Sequence, residues 1–424
     1  MGRKHIFLII FLCLIAMVAG DARESTGRAQ RKTGRPVVLR ITGWISSFVE
    51  QEILLQSLGA FEKSHPEIRV SYEPYLGYGD SYYVSELITA IKEGRGPDVF
   101  YVGAERVKSM NDQDLLLPLG SRFKEKEAFL PELVSLFSND GETYGIPKDF
   151  NTFVLFYRSD LFKENGIPVP DQGWTWKELK EAARVLTDPA KGRAGLCIAA
   201  HDPSRWLLFP LQSGAQLFSK DGSRCLLNSR EAIDGFNFAL GMRNEDRSTK
   251  TPEELGCRSS GEALGKGKAA MIIEGGWVEP YFRKAYPKEA IGAGLLPRGP
   301  KGRQNFLFTV AYAVSKKTAH PAEAWKLVDY LTSPENQKRV AETGMALPTR
   351  KALLESLNIS RRTAGAVYLS RTEAVTYAFG KAGEKGVLVI GKAVKEIFQG
   401  GKPLDATLEQ AVEELNSWLL NLPD

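Results

Sequence analysis

VVLRITGWISSFVEQEILLQSLGAFEKSHPEIRVSYEPY, residues 37 to 75, decides the fold. Val37 to Trp44 is rich in β-branched and apolar residues, and Ile68 to Tyr75 sets Ile, Val and Tyr against Arg, Ser and Glu in alternation, so both read as strands. Between them, Glu50 to Lys63 places Ile53, Leu54, Leu58 and Phe61 on one helical face. The spacing predicts strand, helix, strand. A second helix over Tyr82 to Glu93 then leads through GRGPDVFYVG to a strand at Asp98 to Val102. Two successive βαβ units predict an α/β fold built on an open, mainly parallel sheet.

Working outward, further strands are expected near Thr152 to Tyr157, Ala269 to Ile273 and Val310 to Val314. TWKEL carries a capping box, with Thr175 at the helix start and Glu178 three residues on. In SPENQ, Ser333 caps and Pro334 sits where its missing N–H costs nothing. From Lys351 the chain reads as almost entirely helical, ending in the amphipathic stretch Leu404 to Leu420. At 424 residues, two domains or one two-lobed body is expected.

The N-terminus is basic at Arg3 and Lys4, apolar from Ile6 to Val18 and small at Ala19 and Gly20. This describes a secretory signal peptide over 1–20, followed by a disordered lead-in over 21–36. The apolar run is shorter than the roughly 20 residues of a spanning helix, so export with cleavage is expected. Cys13 lies inside that run, which argues against a lipid-modified N-terminal cysteine. Of Cys197, Cys225 and Cys257, a pair between Cys225 and Cys257 is conceivable, and buried free thiols are the simpler reading.

Basic and acidic residues number 56 and 51 and are mixed along the chain, which excludes nucleic acid as the expected partner. Only four histidines occur, none at metal-ligand spacing, and no nucleophile elbow, phosphate loop or dinucleotide fingerprint is present. No metal, cofactor or catalytic residue is expected.

In open α/β sheets ligands bind beyond the carboxyl ends of strands. After the first strand comes Trp44; after the third, Gly103, Glu105 and Arg106; after the Ala269 strand, Gly275, Gly276 and Trp277. Aromatic faces, a carboxylate, a guanidinium and bare backbone suit a sugar, whose C–H face stacks on indole while its hydroxyl rim takes bidentate polar partners. The glycines permit close main-chain approach. Each residue alone reads as ordinary core, surface pair or tight turn; their co-location at strand ends is what points to a site.

The segments GRGPDVF (94–100), YGIPKDFNTFVLFYRSDLFKENGIPVP (144–170), TWKEL (175–179), GKAAMIIEGGW (267–277), HPAEAWKLVDYLTSPENQ (320–337) and GMALPTRK (344–351) together resemble the sugar-binding group of ABC-importer extracellular solute-binding proteins, the maltose-binding-protein-like proteins. The resemblance covers nearly the whole chain after the leader. It implies a periplasmic binding protein fold: two α/β lobes joined by a multi-strand hinge, with the ligand cleft between them. The N-terminal lobe would span 37–147 and 310–346, the C-terminal lobe 152–306 and 349–424, and the crossings 146–151, 305–309 and 346–349. Glu105 and Arg106 resemble the family's polar pair on sugar hydroxyls, Asn151 a polar contact at the first crossing, and Trp206 and Trp277 its stacking aromatics. Trp44 and Arg350 fall near cleft positions, and Gly276 near Trp277.

The implied function is an exported, periplasmic, monomeric, non-catalytic binder that captures a mono- or oligosaccharide by lobe closure and delivers it to an ABC permease. The alternatives are a non-sugar solute (a glycerol phosphodiester, a polyamine or a metal complex) and an exported carbohydrate-active enzyme. Three departures stand out, one of them the loop Ser46 to Val49, which offers Ser46, Ser47, Phe48 and Val49 where relatives often carry polar contacts. Phe153 and Val154 occupy positions where many relatives have small residues, and NFLFTVAYAV (305–314) replaces a glycine pair, so a more apolar cleft is expected.

Overall fold

The computed structural model describes residues 35–45, 48–75, 81–200, 202–357, 362–377 and 379–422. The signal peptide, nearly all of the lead-in, Ser46, Ser47 and His201 lie outside the described residues. No described helix is long and apolar enough to cross a membrane.

The opening stretch folds as its alternation predicts: β1 (Val37–Trp44), α1 (Phe48–Ser64), β2 (Ile68–Tyr75), α2 (Ser81–Lys92) and β3 (Val99–Gly103), with β1 parallel to both β2 and β3. Leu58 and Phe61 of α1 are buried against Leu39, Ile41 and Val99. After a short hairpin, β4 (Ser138–Asn139) and β5 (Glu142–Thr143), comes the 14-residue strand β6 (Gly145–Arg158). Then follow β7 (Ala194–Cys197), β8 (Thr249–Lys250), β9 (Ala269–Gly275), β10 (Ile291–Gly294), β11 (Asn305–Val314) and β12 (Ala374–Thr376).

These strands, β4 and β5 apart, form one sheet in the order β2-β1-β3-β11-β6-β9-β7-β8, with β10 on β6 and β12 on β11. The mainly parallel expectation holds only for the outer strands. At the centre β3, β11, β6 and β9 run antiparallel to one another. The reason lies in β6: its first half, from Gly145 to Thr152, pairs with β11, and Phe153 to Tyr157 pair with β9, so one strand serves two strand groups. The β11 pairing slips register between Val310 and Ala311, a bulge. Beside it, Phe150 and Leu347 exchange backbone hydrogen bonds of 3.0 Å in both directions. Lys148 is buried between Glu50 and Asp149, which ties the first turn of α1 to β6.

Hydrophobic packing follows the strand groups. One core gathers Leu39, Ile41, Phe61, Val99, Val314, Leu327 and Val328; another gathers Leu179, Ala183, Leu196, Met271, Ile273 and Leu408. The predicted caps are present: Thr175 and Glu178 close a capping box at Trp176–Leu186, and Ser333 accepts from the Asn336 N–H. Beyond Lys351 helices dominate, but β12 interrupts them by adding to β11 at Asn305 to Leu307. Cys197, Cys225 and Cys257 are free and buried, so the conceivable Cys225–Cys257 bridge is not formed. Burial pushes the Cys225 thiol up to about 11, which suppresses its thiolate.

Candidate functional site

Two strand ends share a geometry. β3 stops at Gly103 and runs into a 3₁₀ turn, Ala104–Arg106; β9 stops at Gly275 and runs into another, Gly276–Val278. Both glycines have ordinary extended backbone, with φ −75° and ψ 150° or 160°, so conformation does not demand them. At Gly275 space does: a Cβ there would lie 2.2 Å from the Trp277 ring. At Gly103 a Cβ would meet only the Glu105 carboxylate, 2.3 Å from Oε1, at the end of a flexible side chain that can withdraw. In each case the side chain two residues on folds back over the bare backbone. Gly275→Ala is therefore expected to displace the indole and weaken ligand affinity severalfold, measured by calorimetry. Unchanged affinity would remove Trp277 from the site.

Gly276 answers to a different neighbour. Its N–H donates to Asn151 Oδ1 at 2.9 Å, while Asn151 Nδ2 donates to the Met345 carbonyl at 2.7 Å. Asn151 thus spends its amide joining β6, the β9 turn and segment 345–350, and it is buried. It sets the position of Trp277 through the backbone.

Around the indole stands a wall of aromatics. Trp277 meets Phe308 edge-on at 5.4 Å between ring centroids and Phe153 at 5.9 Å. Phe308 also packs on Phe153 at 4.8 Å and on Tyr377 at 5.7 Å. Tyr377 follows β12, is held to β11 by its N–H to the Leu307 carbonyl, and leans on Phe306 and Phe379. Phe153 and Phe308 come from the two segments where the sequence departs from the family pattern. The expected apolar character is therefore this wall.

The polar half of the site was largely missed by sequence reasoning. Glu274, last but one in β9, accepts from Arg205 Nε at 3.1 Å and Nη2 at 2.5 Å, and Arg205 also pairs with Asp202. The Arg205 guanidinium lies 5.0 Å over the Phe153 ring. A charge closing an otherwise apolar, buried strand was the available signal, because such a group demands a partner. From the other strand group, Glu105 accepts from Arg106 Nε at 3.3 Å, with Arg106 buried.

Tyr377 links the two polar sets. Burial, then the negative charges of Asp202 and Glu105, push its phenol well above the ordinary value, against the opposing fields of Arg205 and Arg106. Tyr377 stays a neutral hydroxyl, able to donate and accept.

For Asp202, burial works to raise the carboxyl, but the Arg205 charge and the Ser204 N–H and hydroxyl hold it below its usual value. A lowered folded pKa contributes stability that is present above the unfolded value of about 3.9 and is lost as pH falls through the folded one. The melting temperature should therefore drop below about pH 4, and Asp202→Asn should flatten part of that drop. Melting curves between pH 2 and 5 check this. An identical acid limb in the variant would remove Asp202 as a contributor.

Two expected site residues sit elsewhere. Trp206 is wholly buried, stacked on Phe398 at 3.7 Å, with Nε1–H donating to the Ala199 carbonyl at 2.9 Å. Every residue of its helix, Ser204–Gln212, is buried, so Trp206 faces the core and its neighbour Arg205 reaches the site instead. Arg350 is anchored to the Thr332 carbonyl and Glu125 and lies over Phe129. Trp44 packs edge-on against Tyr83 and Tyr101, in the cluster that also takes in Val102 and Ala104 at the end of β3, next to Glu105. Of the expected residues, Asn151, Gly276 and Trp277 lie with Phe153, Asp202, Arg205 and Glu274, while Glu105 and Arg106 follow the end of β3.

Comparison with known proteins matches this frame. The family described as bacterial extracellular solute-binding protein matches residues 45–338. The arabinooligosaccharide-binding protein of Bacillus subtilis is 24% identical over 328 residues, 74% of this chain and 72% of that protein. The maltodextrin-binding protein of the same organism is 23% identical over 299 residues, 67% of this chain and 68% of that protein. Among solved structures, an ABC substrate-binding protein of Listeria monocytogenes in complex with cycloalternan superposes with TM-score 0.82 at 20% identity, covering 91% of this chain and 99% of that one. An Agrobacterium vitis solute-binding protein with bound D-mannitol gives TM-score 0.78 at 19% identity, covering 91% and 100%. These two likenesses establish the shared fold. With more than half its length inside the family match, this chain belongs to the bacterial extracellular solute-binding proteins, an exported family of binders.

Proposed function

We propose that the protein captures a mono- or oligosaccharide between its two strand groups and delivers it to a membrane-embedded ABC permease. One observation carries this: an aromatic wall of Trp277, Phe308 and Phe153 stands beside Arg205, whose guanidinium lies 5.0 Å over the Phe153 ring and holds the carboxylates Asp202 and Glu274. A pyranose offers a C–H face to such a wall and hydroxyl donors to such carboxylates. The names of the oligosaccharide-binding relatives support the same ligand class.

The lobes are proposed as 37–147 with 310–346 and 152–306 with 349–424, crossing at 146–151, 305–309 and 346–349. Ligand contacts from both lobes would be satisfied together only when the cleft is shut, so binding would shift the population toward closure. The protein would act as a periplasmic monomer, exported through a cleavable leader over 1–20, and would release its sugar chemically unchanged.

A thermal-shift screen against a carbohydrate library tests the reading. The cognate sugar should raise the melting temperature, change tryptophan emission through Trp277, and be recovered intact after long incubation. No shift with any sugar overturns the proposal, and product formation overturns the non-catalytic part of it.

A further inference from the structure

The charged groups of the site are layered. Arg205 and Arg106 have side chains only 8% and 6% exposed, whereas Asp202 and Glu105, which pair with them, are 37% and 21% exposed. Glu274, 10% exposed, lies beneath with Arg205. The Arg205 guanidinium therefore lies covered, engaged by Asp202 and Glu274, while the Asp202 carboxylate is the more exposed member of the cluster. Ionised carboxylates are acceptors only. Among the described residues, Asp202 and Glu274 against Arg205 also leave one negative charge in excess in this cluster.

We infer that the site selects its carbohydrate by charge: it takes neutral polyhydroxy rings and their amine-bearing counterparts and rejects acidic ones such as uronates and sugar phosphates, with Asp202 as the discriminating residue. This rests on the carbohydrate reading above and narrows it. A hydroxyl or an ammonium donates to Asp202 and Glu105. A carboxylate or phosphate brings acceptors to acceptors and like charge to like charge, and it finds the Arg205 guanidinium already engaged by Asp202 and Glu274 and covered.

Matched panels test this on the full mature chain: glucose, glucosamine and glucuronate, the galactose trio, and short oligomers of each, read by calorimetry at low and high salt. Neutral or amine-bearing members should bind at least tenfold more tightly than their acidic counterparts. Affinity for the amine-bearing members should fall as salt rises, while the neutral ones hold steady, because screening acts only on charge. Asp202→Asn should narrow the neutral-to-acidic ratio about tenfold, and Glu105→Gln, which leaves the Arg205 anchorage intact, should narrow it in the same direction.

An acidic member binding as well as or better than its neutral counterpart overturns the inference and leaves the carbohydrate reading standing. An unchanged ratio in both variants also overturns it. Silence across all the panels overturns the carbohydrate reading itself.

Discussion

Trp277→Ala should weaken sugar binding by tenfold or more and lower the melting temperature by only a few degrees. The indole is partly exposed and touches Phe153 and Phe308 by their edges, contacts worth about 0.5–1.5 kcal/mol each beyond area burial. Removing them trims the wall without opening the core, because Phe153 and Phe308 still pack on each other at 4.8 Å. A ligand ring, by contrast, loses its stacking surface outright. A loss of about 1.4 kcal/mol is a tenfold change in affinity. Calorimetric titration and thermal melts on the same preparation separate the two effects. A large drop in melting temperature with affinity intact would make Trp277 a packing residue.

The largest effect on stability should come from Arg205→Leu. Arg205 is buried among Asp202, Glu274 and the Phe153 ring. Removing one partner of a buried ion pair strands the other, at a cost of about 3–5 kcal/mol. The stranded group here is Glu274, while Asp202 retains access to water. Adding Glu274→Leu should then recover most of the loss, because two apolar side chains replace a pair that no longer carries charge. Arg205→Lys should fall between, since a single ammonium lacks the fork that spans two carboxylates. Chemical denaturation of the three variants measures the series. If the double variant is no more stable than the single one, the cost arises from lost packing around Phe153.

Much of the first strand group was legible. The alternation in β2 and the helical face of α1 each bury one side, and that is the pattern a half-buried element leaves in its residues. The long strand β6 left no such trace: Phe150 to Tyr157 are buried on both faces, so the run carries no period and its direction is fixed only by what lies beside it. β12 is three residues long and exists because β11 offers an edge, a fact that local sequence does not contain.

The site divides in the same way. Trp277, Glu105 and Arg106 follow strand ends, so position alone exposed them. Trp206 looked equivalent, but its helix is enclosed all round, and one residue of rotation exchanged it for Arg205. Tyr377 depended on β12 and could not be foreseen without it. At Gly275 the glycine answers to the volume of the Trp277 ring and not to the turn, which local sequence does not show.

β6 and β11 run through both strand groups as neighbours, hydrogen-bonded from Gly145 to Thr152. A ladder of this kind resists sliding and stretching in its own plane and yields most readily to bending and twisting. With segment 346–349 joined to β6 at Phe150, the connection is a leaf spring with a register slip at Val310 and Ala311. Under the lobe closure proposed above, such a spring would confine displacement of one strand group against the other to nearly a single degree of freedom, and the facing groups would return to the same registration.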